Sequence, residues 1–135
     1  MIVVADTNVL LRAFVQDDPR QSKIAQQELK DADRIIIPTV ALCEFAWTLG
    51  RGYKFTGDQI ASMIRSLGER AHVSMDSNAI TEGLAMLDAG GDFADGVIAF
   101  EGFSEGAESF ISFDRRAVTI LQRQGKEARF LSQLV

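Results

Sequence analysis

Two aspartates of this chain stand directly after short apolar segments that have the composition of β-strands. Asp6 follows the segment Ile2 to Ala5, and Asp114 follows the segment Phe110 to Phe113. In open parallel sheets ligands bind beyond the carboxyl ends of the strands, because loops converge there and helix N-termini point inward. Aspartate is also a favoured helix N-cap, which explains either residue taken alone. Their shared position at strand ends favours a role in a site.

Glu44 lies in a predicted helix, and the residues on its helical face, such as Val40 and Trp47, are mostly apolar. This pattern predicts that Glu44 does not lie on a solvated face. An isolated buried carboxylate is costly, so Glu44 is expected to be paired, protonated or bound to a metal ion. An ion pair with Arg51 or Arg12 is the structural alternative to a role in a site.

Asp92 and Asp95 are three residues apart at the start of another predicted helix, after the pair Gly90 and Gly91. The helix dipole favours anions there, but two like charges at this spacing repel each other. We expect one of them to cap the helix and the other to be a ligand, with Asp95 the favoured ligand.

Carboxylates that converge without histidine or a pair of cysteines are typical of a site for Mg²⁺ or Mn²⁺ rather than zinc. A divalent ion relieves the repulsion among the acids and leaves positions open for water and phosphate oxygens. The chemistry indicated is phosphodiester hydrolysis, in which one or two ions activate water and neutralise the leaving oxygen.

Two other classes of protein remain open. Phosphatases and response-regulator receivers also place acids around Mg²⁺, although Asp6 lacks a second aspartate two residues on and no lysine lies within 112–116. A binding module that keeps the fold without catalysis is the third possibility.

The order of the predicted elements indicates an α/β protein. Strands separated by helices of ten or more residues imply parallel pairing through crossovers, with helices on both faces of the sheet. We expect a three-layer α/β/α arrangement, with one small, mostly parallel sheet of about five strands flanked by helices, in a single domain over residues 1–135. The predicted strands are 2–5, 34–37, 72–75, 109–113 and 128–131; the predicted helices are 9–15, 19–30, 40–49, 56–67, 77–87, 92–100 and 114–125.

Local patterns give further expectations for three of these helices. Thr39 is the predicted N-cap of the third helix, and Thr56 and Gln59 resemble a capping box for the fourth. In the second helix, Ile24, Ala25 and Leu29 are spaced to face the core.

Composition sets the remaining limits. Of the 135 residues, 47% are hydrophobic and 24% are charged, which is typical of a folded domain. The one cysteine, Cys43, cannot form an intramolecular disulfide, so a cytoplasmic location is expected, and no apolar run reaches the roughly 20 residues of a membrane span. The net charge of −5 argues against a basic surface for nucleic acid. A bound cation would have to reverse the local potential before a phosphate arrives.

These acids and their surroundings resemble the motifs of the PIN-domain family, and within it the VapC-like toxins of toxin–antitoxin pairs. The segment Val4 to Leu11 resembles the first motif, with Asp6 as its acid and Asn8 at a supporting position. The segment Thr39 to Glu44 is similar to the second motif, with Glu44 as its acid.

The later motifs follow in the same order. The segment Asp92 to Ala99 resembles the third, with Asp95 as the principal acid and Asp92 as an additional one. Ser112 and Asp114 resemble the last motif, in which serine or threonine stands two places before the aspartate. The resemblance covers essentially the whole chain.

The resemblance implies a Mg²⁺- or Mn²⁺-dependent endoribonuclease that forms a homodimer and is inhibited by a cognate antitoxin protein. One departure is Arg116, which stands where relatives often carry a further acid, so that one firmly held metal ion is expected rather than two. Arg12, Arg115 and Arg116 are candidates for contact with the RNA phosphates.

Overall fold

The computed structural model describes residues 1–132, and the contacts of the chain group into two compact units, Met1–Ser77 and Asn78–Val135. Each unit combines helices with a small parallel sheet, which confirms the predicted α/β class. Within residues 1–132, no helix is long and apolar enough to cross a membrane. The single-domain assignment for residues 1–135 stays a prediction.

The first unit contains three strands and four helices in its described residues. In chain order they are β1 (Ile2–Val4), α1 (Thr7–Phe14), α2 (Pro19–Asp31), β2 (Arg34–Ile36), α3 (Thr39–Arg51), α4 (Gly57–Gly68) and β3 (Val73–Ser74). The strands form a parallel sheet in the order β1-β2-β3, with Val3 opposite Ile35 and Ile35 opposite Val73. Since parallel strands need crossover connections, two helices lie between each strand and the next.

The second unit begins close to the start of α5 (Ser77–Asp88). It continues with α6 (Phe93–Ser104), β4 (Phe110–Ser112), α7 (Arg115–Arg123) and β5 (Ala128–Phe130). The strands β4 and β5 pair in parallel, with Phe110 opposite Ala128. The five predicted strands are therefore present, as one sheet of three strands and one of two in the described residues.

Side chains just before the helices explain why several of them begin where the sequence predicts. The Asp6 carboxylate accepts a hydrogen bond from the backbone N–H of Val9, and Asp18 caps α2 in the same way. Thr56 and Gln59 form the predicted capping box of α4. The predicted N-cap Thr39 is wrong: Thr39 is the first residue of α3, and Pro38 occupies the cap position without a side-chain hydrogen bond.

The core of the first unit lies where α1, α3 and α4 meet. Leu10, Leu42, Phe45 and Ile64 are fully buried there. The assignment of Ile24 to the core is wrong, because its side chain is 58% exposed. The inward stripe of α2 instead consists of its three buried residues, Ser22, Ala25 and Leu29, and Ile24 lies beside this stripe.

In the second unit, α5 and α6 approach each other closely at a glycine. A Cβ atom added to Gly96 would lie 2.4 Å from the backbone carbonyl oxygen of Glu82, a separation at which one of the two helices must move. Met86 contributes to the core on the same side, next to Val118 and Leu121 of α7. The close contact matters for function because α6 carries Asp95.

We therefore predict that Gly96→Ala destabilises the protein by about 1–3 kcal/mol, the usual cost of overpacking a well-packed contact. The control is Gly102→Ala on the same helix, where the added Cβ would meet only the Ala107 side chain at 3.8 Å. Better helix propensity should leave the control neutral or slightly stabilised. Urea unfolding monitored by circular dichroism measures both, and equal free energies of unfolding would contradict the close contact.

Candidate functional site

Three of the predicted site residues come together in the second unit. One carboxylate oxygen from each of Asp92, Asp95 and Asp114 can be chosen so that all three lie within 4.8 Å of one another. We call these residues the aspartate triad. Asp92 and Asp95 lie at the start of α6, and Asp114 is the N-cap of α7. The fold of the second unit therefore brings together acids that are about 20 residues apart in the chain.

Asp92 and Asp95 take different positions at the start of α6. Asp92 occupies the N-cap position, but its side chain makes no capping hydrogen bond, and it is exposed. Asp95 lies in the first turn and is partly buried. The sequence predicted one cap and one ligand, and Asp92 occupies the cap position without a side-chain capping hydrogen bond.

Asp114 is held in place by the backbone at the start of α7. Its Oδ1 accepts hydrogen bonds from the N–H groups of Arg116 (3.0 Å) and Ala117 (3.3 Å). Its own N–H donates to the Ser112 hydroxyl at 2.9 Å. Ser112 therefore supports the acid through the backbone, and Oδ2 of Asp114 is not used by these bonds.

The electrostatics of the triad are unfavourable without a cation. Partial burial, followed by the negative charges of Asp92 and Asp114, raises the pKa of the Asp95 carboxyl. The donors of the triad are all carboxylate oxygens, which suit a hard divalent cation such as Mg²⁺ or Mn²⁺. The three residues therefore fit the kind of ion that the sequence predicted.

The other two predicted acids, Asp6 and Glu44, lie in the first unit and line one cavity of about 340 Å³ at the carboxyl ends of β1 and β2. The hydroxyl of Thr7 donates a hydrogen bond to Oε2 of Glu44 at 3.2 Å. Asn8 also lines this cavity. The sequence did not single out Thr7, since a threonine at the start of a helix reads as a cap residue.

The expected burial of Glu44 is wrong, because its side chain is exposed. The two apolar residues that suggested burial are themselves exposed, Val40 at 66% and Trp47 at 60%. The apolar pattern of α3 thus includes a face that the protein interior does not cover. The alternative role, an ion pair with Arg51 or Arg12, does not occur within the described residues, and the hydrogen-bond partner of Glu44 is Thr7.

Arg12 is already engaged inside the first unit. Its guanidinium donates to Oδ1 of Asp17 at 2.9 Å, and the Tyr53 hydroxyl donates to Oδ2 of the same aspartate at 2.8 Å. The hydrogen bond from Tyr53 is the largest cause of a lowered pKa of Asp17, and the bond from Arg12 lowers this pKa further. Arg12 also lines a groove of about 400 Å³ together with Asp6 and Asn8, so contact with a phosphate there would compete with the Asp17 pair.

The two arginines after Asp114 also have partners in the second unit. Arg115 lies over the ring of Phe130, with its guanidinium carbon 4.0 Å from the ring centroid. The Arg116 guanidinium donates to the backbone carbonyl oxygen of Gly90 at 3.2 Å. This bond ties the start of α7 to the turn that leads to Asp92, where Gly90 has a positive φ of 96°.

The raised pKa of Asp95 gives a prediction for the metal-free protein. The folded state holds the Asp95 proton to higher pH than the unfolded state does, so stability falls as pH rises from the ordinary aspartate pKa through the raised one. We expect Asp95→Asn to raise the melting temperature by a few degrees at pH 8 in a metal chelator, with the difference shrinking toward about pH 4.

The control for this prediction is Glu101→Gln, which removes an exposed carboxylate from the same helix. It should change the melting temperature little at either pH. Added Mn²⁺ should stabilise the wild-type protein and not the Asp95→Asn variant. A variant less stable than wild type at pH 8 without metal would contradict the repulsion among the triad.

Comparison with known protein families gave a match over most of the chain. A family model described as PIN domain matches residues 3–123, which span the chain from β1 to the end of α7. A search of curated proteins gave no match. PIN domains are in general nucleases that bind divalent metal ions through acidic residues. With about nine-tenths of its length matched, including both strand-end aspartates and the whole triad, the chain belongs to the PIN domain family.

Proposed function

We propose that this protein is a Mg²⁺- or Mn²⁺-dependent endoribonuclease and the toxin of a toxin–antitoxin pair. The observation that carries the nuclease activity is the aspartate triad, three carboxylates within 4.8 Å of one another in a chain of the PIN family. In an ion-pair network with a structural role, lysine or arginine side chains lie among the acids. The triad, by contrast, consists of carboxylates alone. Its chemistry is that of a divalent-metal site.

In this proposal Asp92, Asp95 and Asp114 hold the ion through their free oxygens. The backbone bonds to Oδ1 of Asp114 fix that ligand before any ion binds, and the packing of α6 fixes Asp95. When bound, the ion supplies positive charge to the phosphate and lowers the pKa of water. It also favours the charged form of Asp95, whose pKa is raised by burial and by the charges of Asp92 and Asp114.

The substrate we propose is RNA, in keeping with the family. The chain carries a net charge of −5, so binding through a broad basic surface does not explain recognition of a polyanion. A cation in the triad, together with Arg115 and Arg116 directly after Asp114, gives a local positive region for a phosphodiester. Asp6 and Glu44, which line the same cavity in the first unit, are proposed as further acids needed for cleavage.

Cleavage of a labelled single-stranded RNA in Mg²⁺ or Mn²⁺ tests the nuclease activity. We expect Asp95→Asn and Asp114→Asn to lower the rate at least about 100-fold, since each removes a charged ligand from the ion. Asp6→Asn and Glu44→Gln should also lower it. Glu101→Gln, which removes the same charge outside the triad, should leave the rate unchanged. Full activity in Asp95→Asn would show that the triad is not the active site.

Mn²⁺ titration by calorimetry separates this proposal from the other two classes. One bound ion in wild type and none in the Asp95→Asn variant supports the nuclease. No detectable binding in the wild type would instead support a non-catalytic module. A phospho-aspartate formed with a small phosphodonor would support phosphoryl transfer.

The toxin role makes a separate prediction. Wild-type protein added to a cell-free translation reaction should lower protein synthesis at least tenfold, whereas Asp95→Asn should not, because inhibition requires RNA cleavage. The cognate antitoxin and the homodimer are part of the same proposal. A small DNA-binding protein encoded beside this gene should co-purify with the chain and restore translation, and sedimentation should give a dimer. If a sample that cleaves RNA leaves protein synthesis undiminished, the toxin role is wrong, whereas the proposed nuclease activity stands.

A further inference from the structure

The helices α1 and α2 of the first unit border a groove of about 400 Å³, which we call the α1–α2 groove. Asp6 and Asn8 line this groove and also line the cavity that contains Glu44. A ligand that contacts Asp6 from the cavity can therefore extend into the groove without leaving the surface of the protein. The groove thus adjoins two of the acids proposed to be needed for cleavage.

The apolar surface of the groove is open to a ligand. Ile24 is 58% exposed and Val9 is half-buried, so both side chains present area that a ligand can cover. Ile24 lies between Gln21 and Glu28 on one face of α2, since these positions are three and four residues apart. A planar ring laid against these aliphatic side chains would remove apolar area from water.

Polar side chains of the groove are available for a ligand. Asn8, Gln21 and Glu28 are exposed, and the side chain of none of them makes an ion pair or a hydrogen bond among residues 1–132. The two amides can donate and accept hydrogen bonds, whereas the carboxylate of Glu28 only accepts them. The α2 side of the groove therefore offers an acceptor that no group of the described chain occupies.

Arg12 provides donors on the α1 side. Its Nη1 donates to Oδ1 of Asp17 at 2.9 Å, and Tyr53 holds the other oxygen of Asp17 at 2.8 Å, so the guanidinium is fixed in place. A guanidinium has five N–H donors, and the others remain for a ligand. Arg12 and Glu28 line the same groove but form no ion pair within the described residues. A donor and an acceptor thus lie apart on the two helices that border the groove.

We infer that the α1–α2 groove binds an unpaired guanine base of the RNA, beside the phosphodiester to be cleaved. The inference rests on the proposed function, which supplies RNA as the substrate. The face of the base packs against Ile24, Arg12 donates to the O6 and N7 atoms, and Glu28 accepts from the N1–H and N2–H groups. Unpaired bases are recognised in this way, by packing against the face and by hydrogen bonds to the edges.

Guanine fits this pair of side chains better than adenine does. Guanine has two adjacent acceptors on one edge and adjacent N–H donors on another, whereas adenine has one amino group and no N1–H for a carboxylate. The base is also uncharged, so it leaves the ion pair between Arg12 and Asp17 in place, with which a phosphate would compete. The α1–α2 groove therefore selects a base, and the acids beside it receive the phosphodiester.

Fluorescence anisotropy with labelled uridine oligomers that carry one central guanosine or one central adenosine tests the inference. The titrations are made in a metal chelator, so that nothing is cleaved and the nuclease activity does not enter the result. We expect the guanosine oligomer to bind the wild-type chain at least about tenfold more tightly than the adenosine oligomer. Glu28→Gln should reduce this preference to about twofold or less, because it removes the charged acceptor.

The matched control is Asp31→Asn, which removes an exposed carboxylate from the same helix outside the groove and should keep the preference. Ile24→Ala should weaken the binding of both oligomers severalfold, and Ile24→Leu, which keeps the apolar surface, should bind like the wild type. All these residues are exposed, so circular dichroism spectra should not change. The inference is wrong if neither oligomer binds, if both bind equally, or if Asp31→Asn loses as much preference as Glu28→Gln.

Cleavage of the same oligomers in Mn²⁺ separates the inference from the nuclease proposal. The wild-type chain should cut next to guanosine, and Glu28→Gln should cut both oligomers at similar rates. Cleavage without a preference for guanosine would overturn the inference and leave the nuclease activity. Selective binding of the guanosine oligomer without cleavage would support the inference and contradict the nuclease activity.

Discussion

Repulsion among Asp92, Asp95 and Asp114 is the constraint under which the second unit folds. The fold of this unit places one carboxylate oxygen of each residue within 4.8 Å of the other two, and no ion pair with a lysine or arginine of residues 1–132 neutralises them. Two features of the backbone reduce the cost. The triad lies at the N-termini of α6 and α7, where the helix dipoles favour negative charge. Asp114 in addition accepts hydrogen bonds from two backbone N–H groups. Burial and the charges of Asp92 and Asp114 nevertheless raise the pKa of Asp95.

The rest of the second unit holds these acids in place. Gly96 lets α6 lie against the backbone of α5, and the core around Met86 and Leu121 fixes α7. Arg116 links the first turn of α7 to the turn at Gly90, and Lys126 pairs with Glu82 of α5 at 2.5 Å. Because each of these contacts joins neighbouring elements around the triad, the acids cannot separate easily to relieve their repulsion. A divalent ion bound among the three carboxylates would offset this repulsion.

In the first unit the parallel strands bring two of the predicted acids to one edge of the sheet. The carboxyl ends of β1 and β2 lead to Asp6 and to the helix that carries Glu44, so this edge is acidic. The helices α1 and α3 begin at the same edge, and the positive ends of their dipoles offset part of that negative charge.

The sequence by itself determined the α/β class and the approximate bounds of the elements, because these depend on local patterns such as the Thr56 and Gln59 capping box. It also singled out the candidate acids from their positions at strand ends and helix starts. It did not determine burial. Glu44 and Ile24 were expected to be covered, and both are exposed, since an apolar pattern shows which face of a helix is apolar but not what covers it. It also missed the partners of Arg12, because Asp17 and Tyr53 meet only after α1, α2 and α3 have packed. Only the tertiary structure showed that Asp92, Asp95 and Asp114 converge, since their distances depend on how α6 and α7 are placed by the packing of the second unit.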